Sequence, residues 1–350
     1  MKALTVRPGK AGSAKIDDVA EPDPAEGAAL VEMVAVGVCG TDRELAAGEY
    51  GEAPPGEDRL VLGHESLGRV LEAPDAREIS AGDLVAGIVR RPDPVPCSSC
   101  AVGEWDMCRN GLYTEHGIKG LHGFARERWR EEPDRLVRLD PGLGLLGVLI
   151  EPTSVVAKAW EQIERIGHRA HWEPRNVLVT GAGPIGLLAA LLGVQRGLEV
   201  HVLDRAAEGL KPELVGALGA TYHTGSVGGA EPDADVVVEC TGAPQLVADV
   251  LTHNAPSGVV CLTGVSARGR ITTLDLGGIN RLMVLENDVV FGSVNANRRH
   301  YEAAAAALAA TDPRWLERLL TRRVPLDDAV GVLAHQRPED IKVVLSPPGR

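Results

Sequence analysis

Aromatic side chains are almost missing from this chain: tryptophan, tyrosine and phenylalanine together make up 3% of its 350 residues. Its cores must therefore be built from leucine, valine and alanine. Lysine is scarce too, with seven residues against many arginines. A GC-rich genome accounts for this and for the abundance of alanine. Positive charge is in deficit, 36 basic against 49 acidic residues and a formal charge of −13. No run of Lys and Arg offsets it, which argues against nucleic acid or an anionic membrane as a main partner. Cysteine is sparse at six, too few for a disulfide framework. The opening MKALTVRPGK lacks the apolar run of a signal peptide. The uncharged stretch Val177–Val194 is interrupted by Gly181, Gly183, Pro184 and Gly186, which speaks against a spanning helix. A cytoplasmic protein is expected.

What is present is globular chemistry, 44% hydrophobic and 24% charged, in a length suited to two domains. The first 150 residues read as short strands broken by Gly/Pro turns, such as Ala28–Val38, Leu67–Leu71 and Leu84–Val89. From Asn176 strands and helices alternate, with strands at Val177–Thr180, Val200–Leu203, Val236–Glu239, Val259–Leu262 and Val289–Gly292. That alternation calls for a doubly wound parallel sheet, so the fold class is α/β with a mostly-β partner domain. A hinge is expected between Glu151 and Trp172, and an Ala-rich helix at Tyr301–Ala310.

Gly181-Ala-Gly183-Pro184-Ile185-Gly186 fits G-x-G-x-x-G, directly after a strand and opening a helix. The glycines serve a tight turn, close approach to a pyrophosphate and helix–strand packing, and the helix N-terminus faces the anion. Asp204 ends the next strand, where a carboxylate can bind the ribose hydroxyls and repel a 2′-phosphate. NAD is thus favoured, with NADP as second choice because Arg205 follows.

Two groups of residues suit a metal. Cys39 lies in Val38-Cys-Gly-Thr-Asp42 and His64-Glu65 in Gly63-His-Glu-Ser-Leu-Gly68. Thiolate, imidazole and carboxylate make a catalytic zinc set, with Glu151 the expected third protein ligand and Glu65 expected more often beside the metal than on it. Cys97, Cys100 and Cys108 form a second, structural candidate, with Asp93 the nearest fourth ligand.

The order of these motifs resembles that of zinc-dependent medium-chain dehydrogenases, most closely the glucose dehydrogenase branch known from archaea. Leu60-Val-Leu-Gly-His-Glu65, Ile150-Glu-Pro152 and Phe291-Gly-Ser-Val-Asn295 extend the match over the whole chain. The resemblance implies a GroES-like catalytic domain over residues 1–151, a Rossmann domain over 152–295 and a C-terminal return over 296–350. It places Cys39, His64, Glu65 and Glu151 around a catalytic zinc and Thr41, Glu115, Glu151 and Asn295 on sugar hydroxyls. Thr241 and Asn295 fall beside the cofactor. It further implies oxidation of a sugar hydroxyl, the C1 hemiacetal of glucose or a close aldose, by NAD(P) to the lactone, in a homodimer or homotetramer. Polyol or cyclitol oxidation is the near alternative, a non-catalytic dinucleotide-binding relative the distant one. Val89 and Glu286 depart from residues of some sugar-binding relatives, and the Cys lobe lacks its usual first thiol.

Overall fold

The computed structural model describes residues 1–74, 79–230, 233–267, 269 and 271–349. The chain divides into two units, Met1–Ser154 with Asn295–Arg350, and Val155–Val294.

The first unit is built on a seven-stranded mixed sheet. Its order runs Leu136–Arg138, Leu84–Gly87, Glu65–Glu72, Ala29–Val38, Val343–Ser346 and Arg322–Pro325, and Arg128–Glu131 also pairs with Ala29–Val38. The central strand ALVEMVAVGV alternates buried and half-buried positions at its start and is buried on both faces at its end. That change follows from where the chain must support a site: the register sets Gly37 opposite Glu65 and Val38 opposite Val343. Leucine and valine fill the core with few aromatics, chiefly Phe124 and Trp129, whose rings lie tilted with centroids 4.6 Å apart.

The second unit carries six parallel strands in the order Thr221–His223, Glu199–Leu203, Asn176–Thr180, Ala234–Glu239, Asn254–Leu262 and Val289–Gly292. Parallel strands need crossovers, and the helix Pro184–Gln195 supplies the first. It is apolar nearly all round and buried from Gly186 to Gly193, the state of a helix within a core. The fold class is therefore as the sequence suggested.

The expected hinge between Glu151 and Trp172 is not a loop. Ile150–Gly167 is one α-helix of 18 residues. Pro152 sits in its first turn, where a missing N–H has no intrahelical partner to lose. The longer helical run Pro141–Gly167 is apolar enough to cross a bilayer, yet 72% of its most apolar window is buried within the protein, as befits a core element.

Candidate active site

Cys39 ends the central strand of the first unit and caps the helix Gly40–Ala46. Its sulfur accepts from Thr41 N at 3.2 Å while the Asp42 carboxylate accepts from Cys39 N at 2.9 Å, a reciprocal cap that fixes the thiol's direction. His64 precedes the neighbouring strand, and its Nε2 lies 3.1 Å from Cys39 Sγ. On the far side of the ring, Nδ1 lies 3.4 Å from Asp42 Oδ1, and neither atom has another partner. A carboxylate behind an imidazole is the arrangement that orients a metal-ligating histidine. Burial pushes the His64 pKa down, but the Cys39 and Asp42 charges outweigh it and hold it well above the usual value.

The ligand atoms of Cys39, His64 and Glu65 all lie within 4.8 Å of one another. This donor set of thiol, imidazole and carboxylate fits Zn²⁺. The sequence reading put Glu151 as the third ligand and Glu65 more often beside the metal than on it; the structure brings Glu65 into the close set with Cys39 and His64, and Glu151 is not among its members. Glu65 is held there by Lys342, whose Nζ lies 2.6 Å from both carboxylate oxygens, both side chains being buried. A Cβ at Gly37 would strike Glu65 Oε2, so the glycine across the register makes the room. Glu151 stands in the first turn of its helix, and burial, reinforced by the Glu65 and Asp42 charges, raises its pKa to about 7 against the opposing pull of His64 and Lys342. Tyr50 lies near Thr41, and burial pushes the pKa of its phenol up to about 12.

Glu115 and Asn295 meet directly. Glu115 Oε1 accepts from Asn295 Nδ2 at 2.9 Å and from Arg90 Nε and Nη2 at 3.0 and 2.9 Å. Arg90 also stacks over Tyr113 at 3.7 Å and donates to the Asp106 carbonyl. Asn295 does not cap the Ala-rich helix, which begins at Arg298 after Asn297. It takes a left-handed backbone, φ 62°, a conformation asparagine tolerates better than most residues.

The sulfurs of Cys97, Cys100 and Cys108 form a second set within 4.8 Å. Backbone amides of Arg109, Cys100 and Ser99 pull the Cys97 pKa down to about 6, and burial lifts that of Cys100 to about 11. Asp93 is not in that set: its Oδ1 accepts from Val95 N at 2.8 Å, while Oδ2 is buried without a partner.

In the second unit the glycine turn joins strand Asn176–Thr180 to helix Pro184–Gln195. Gly181 takes φ +92°, a Cβ on Gly186 would strike the Gly181 carbonyl, and the space over Gly183 is open. Pro184 and Ile185 begin the helix. Asp204 follows the strand Glu199–Leu203, at the strand end the sequence suggested, and is already engaged there. Its Oδ2 accepts from Ala182 N at 2.7 Å, within the turn itself, and Lys211 Nζ lies 3.1 Å away. Arg205 is exposed. A carboxylate engaged by the turn and neutralised by a lysine does not stand free to repel a 2′-phosphate.

Sequence reading missed Lys342, Asp42, Arg90 and Tyr50. Asp42 alone carried a local signal, three residues after Cys39 in a capping pattern. Lys342 and Arg90 reach their partners through sheet pairing that no local motif records.

Comparison with known proteins bears on the same residues. The Glucose dehydrogenase C-terminus family matches residues 144–346, and the Alcohol dehydrogenase GroES-like domain matches residues 25–141. Glucose 1-dehydrogenase of Methanocella arvoryzae is 41% identical, covering 99% of each chain. Glucose 1-dehydrogenase 1 of Caldivirga maquilingensis is also 41% identical, over 99% of this chain and 98% of that one. The crystal structure of Haloferax mediterranei glucose dehydrogenase in complex with NADP, Zn and gluconolactone superposes with a TM-score of 0.90 at 33% identity, covering 99% of each chain. That relative holds NADP, so the preference for NAD read from Asp204 has no support here.

Proposed function

This chain belongs to the glucose dehydrogenase family of zinc-dependent medium-chain dehydrogenases, and from that premise we propose that it oxidises the C1 hydroxyl of glucose or a close aldose to the lactone. The observation that carries the reading is the set of half-buried Cys39 with buried His64 and Glu65, their ligand atoms within 4.8 Å of one another. Zinc bound there supplies Lewis-acid chemistry, able to bring the pKa of a hydroxyl from about 16 toward 7, and the nicotinamide of NAD(P) accepts the hydride.

Cys39, His64 and Glu65 would hold the ion, with Asp42 orienting the imidazole. Glu151, outside that close set, would orient a substrate hydroxyl beside the ion. Thr41 passes the released proton toward solvent, a role supported by its place near Tyr50, which is 42% exposed. Glu115 and Asn295 orient the sugar. Oε1 of Glu115 is taken by Arg90 and Asn295, leaving Oε2 for a substrate hydroxyl. A site that satisfies its buried groups with hydroxyls discriminates strongly against a plain alcohol.

On the cofactor, Gly181, Gly183, Pro184, Ile185 and Gly186 form the pyrophosphate turn, and Thr241 flanks it. Exposed Arg205 and the nearby Lys211 support acceptance of a 2′-phosphate, so the enzyme uses NADP as well as NAD. Cys97, Cys100 and Cys108 would hold a second, structural zinc, with the fourth position filled from outside that set. The strand Val289–Gly292 is a sheet edge, and only Ile279 is buried in the adjoining-sequence helix Leu276–Glu286. Such an unpaired edge with exposed leucines suits a second copy of the chain, giving a homodimer or a tetramer built from it.

One experiment tests the reading: turnover of glucose, galactose, xylose, sorbitol and inositol with NAD and with NADP, on protein of measured zinc content. Aldose oxidation to a lactone is expected. Turnover of inositol or sorbitol alone would replace the aldose reading with the cyclitol or polyol one, and no turnover by zinc-loaded protein would overturn both.

A further inference from the structure

In the second unit the strand order reverses at Asn176–Thr180, which has Glu199–Leu203 on one side and Ala234–Glu239 on the other. Ligands of doubly wound sheets bind in the crevice outside the carboxyl ends of the strands at such a reversal. One lip of that crevice is the glycine turn. The other is the end of Ala234–Glu239, and its last residue has no part in the chemistry described so far.

Glu239 is fully buried. Its Oε1 accepts from Thr241 N at 2.8 Å, from Thr180 Oγ1 at 3.3 Å and from Thr241 Oγ1, while Oε2 accepts from Gly242 N at 3.1 Å. All four donors are neutral, and among the described residues no cation pairs with this carboxylate. A buried carboxylate with no counter-charge is expensive and persists where fixed donors satisfy it. Here those donors come from both lips: Thr180 ends one strand and Thr241–Gly242 follow the other.

The clamp is tight on every side. Thr241 Oγ1 donates to Glu239 and accepts from Ala243 N at 3.0 Å, so the hydroxyl is fixed in both roles. The Glu239 carbonyl takes Thr263 N at 2.8 Å and Gly264 N at 3.0 Å, tying in a third strand end. A Cβ on Gly264 would meet Glu239 Oε2 at 2.8 Å and strike the Gly242 amide. The Thr241 methyl lies 2.8 Å from where a Cβ on Gly181 would stand, so the turn rests on the first glycine of the fingerprint.

We propose that Glu239 is a positioning residue for the dinucleotide: its carboxylate presets the Thr241–Ala243 turn against Gly181, so that the cofactor meets a formed lip instead of ordering one on binding. The inference rests on the dinucleotide reading above and deepens it. Preorganisation of this kind improves affinity by removing the cost of ordering.

Glu239→Gln keeps the volume but turns one acceptor into a donor. Either Gly242 N–H or the cluster on Oε1 then loses its acceptor. Titration of NADPH fluorescence should show the Kd rising about tenfold, the KM for NADP rising with it, and kcat and zinc content little changed. The cofactor-induced rise in unfolding midpoint should shrink. Thr241→Val removes a donor from the same clamp and should weaken binding similarly, with the double variant no worse than either single one. Thr241→Ser should restore wild-type affinity. Wild-type binding by folded Glu239→Gln, or additive losses in the double variant, would overturn the proposal. If Glu239→Gln does not fold, Thr241→Val and Gly264→Ala carry the test, and unchanged NADPH affinity in both overturns it. Wild-type protein that binds no dinucleotide would sink the cofactor reading, and the proposal with it.

Discussion

Two sulfur-bearing clusters in the first unit each keep their ligand atoms within 4.8 Å of one another, in opposite surroundings. Around Cys39, His64 and Glu65 stand Asp42, Glu151 and Lys342, buried charges of both signs that interact with the set and with each other. Around Cys97, Cys100 and Cys108 the partners are mainly backbone amides and the Asn110 side chain. The difference separates two uses of a metal. Reactive chemistry needs neighbours that shift proton affinity and leave a position open, whereas a structural ion needs its ligands and little else. The first environment can tune a bound ion; the second can only hold one.

The sharpest way to break this comparison is to remove one sulfur from each cluster. Cys39→Ala should lower kcat for the aldose by about 10³-fold or more, since several kcal/mol of charge stabilisation is lost. Circular dichroism should show the fold retained. Cys100→Ser should instead lower the zinc content by one equivalent and the Tm by a few degrees, at roughly 2–4 °C per kcal/mol. Equal losses of turnover in the two variants would erase the distinction drawn here.

A change in the surroundings alone comes next. Lys342→Met leaves Glu65 buried without its cation, and zinc-free protein should lose about 3–5 kcal/mol in urea unfolding. Zinc supplies a replacement cation, so the loss should be much smaller in loaded protein, and Lys342→Arg should lose little in either. A deficit that is the same with and without metal would mean that Lys342 is structural only.

The smallest effect concerns a buried histidine outside both clusters. His116 donates from Nδ1 to the His122 carbonyl at 2.6 Å and faces Arg91 at 2.8 Å through Nε2. Burial, with the Arg91 charge added, holds its pKa well below 6.5, opposite to His64. The folded state thus refuses a proton that the unfolded chain takes up. The contribution of this group is fully present above about pH 6.5 and falls as the pH drops toward the folded pKa, by at most about 1.4 kcal/mol per unit. His116→Gln should flatten the stability profile between pH 6.5 and 5, as read by denaturant midpoints. An unchanged slope would show that the ring does not stay neutral.

Much of this was legible before any coordinates. The glycine fingerprint, the alternating strands and the pair Cys39 and His64 are local or regularly spaced signals, and they gave the fold and the heart of the site. What stayed hidden depends on register. Gly37 faces Glu65 and Val38 faces Val343 only once the sheet forms, so neither the room for the carboxylate nor its lysine can be read from a window of sequence. Asp204 was half legible for a similar reason: its position at a strand end was evident, its engagement by Ala182 N was not.

The ion pair between Glu65 and Lys342 joins residues 277 positions apart. At a ribosomal pace of about 5–20 residues per second, the acid emerges roughly 15 to 55 s before its lysine. Throughout that interval the nascent sheet must either keep Glu65 in water or neutralise it with a proton or a metal ion. The last-made strand is therefore the keystone of the first unit: until Val343–Ser346 slots in beside Ala29–Val38, the reaction centre is unfinished however much of the chain has already collapsed.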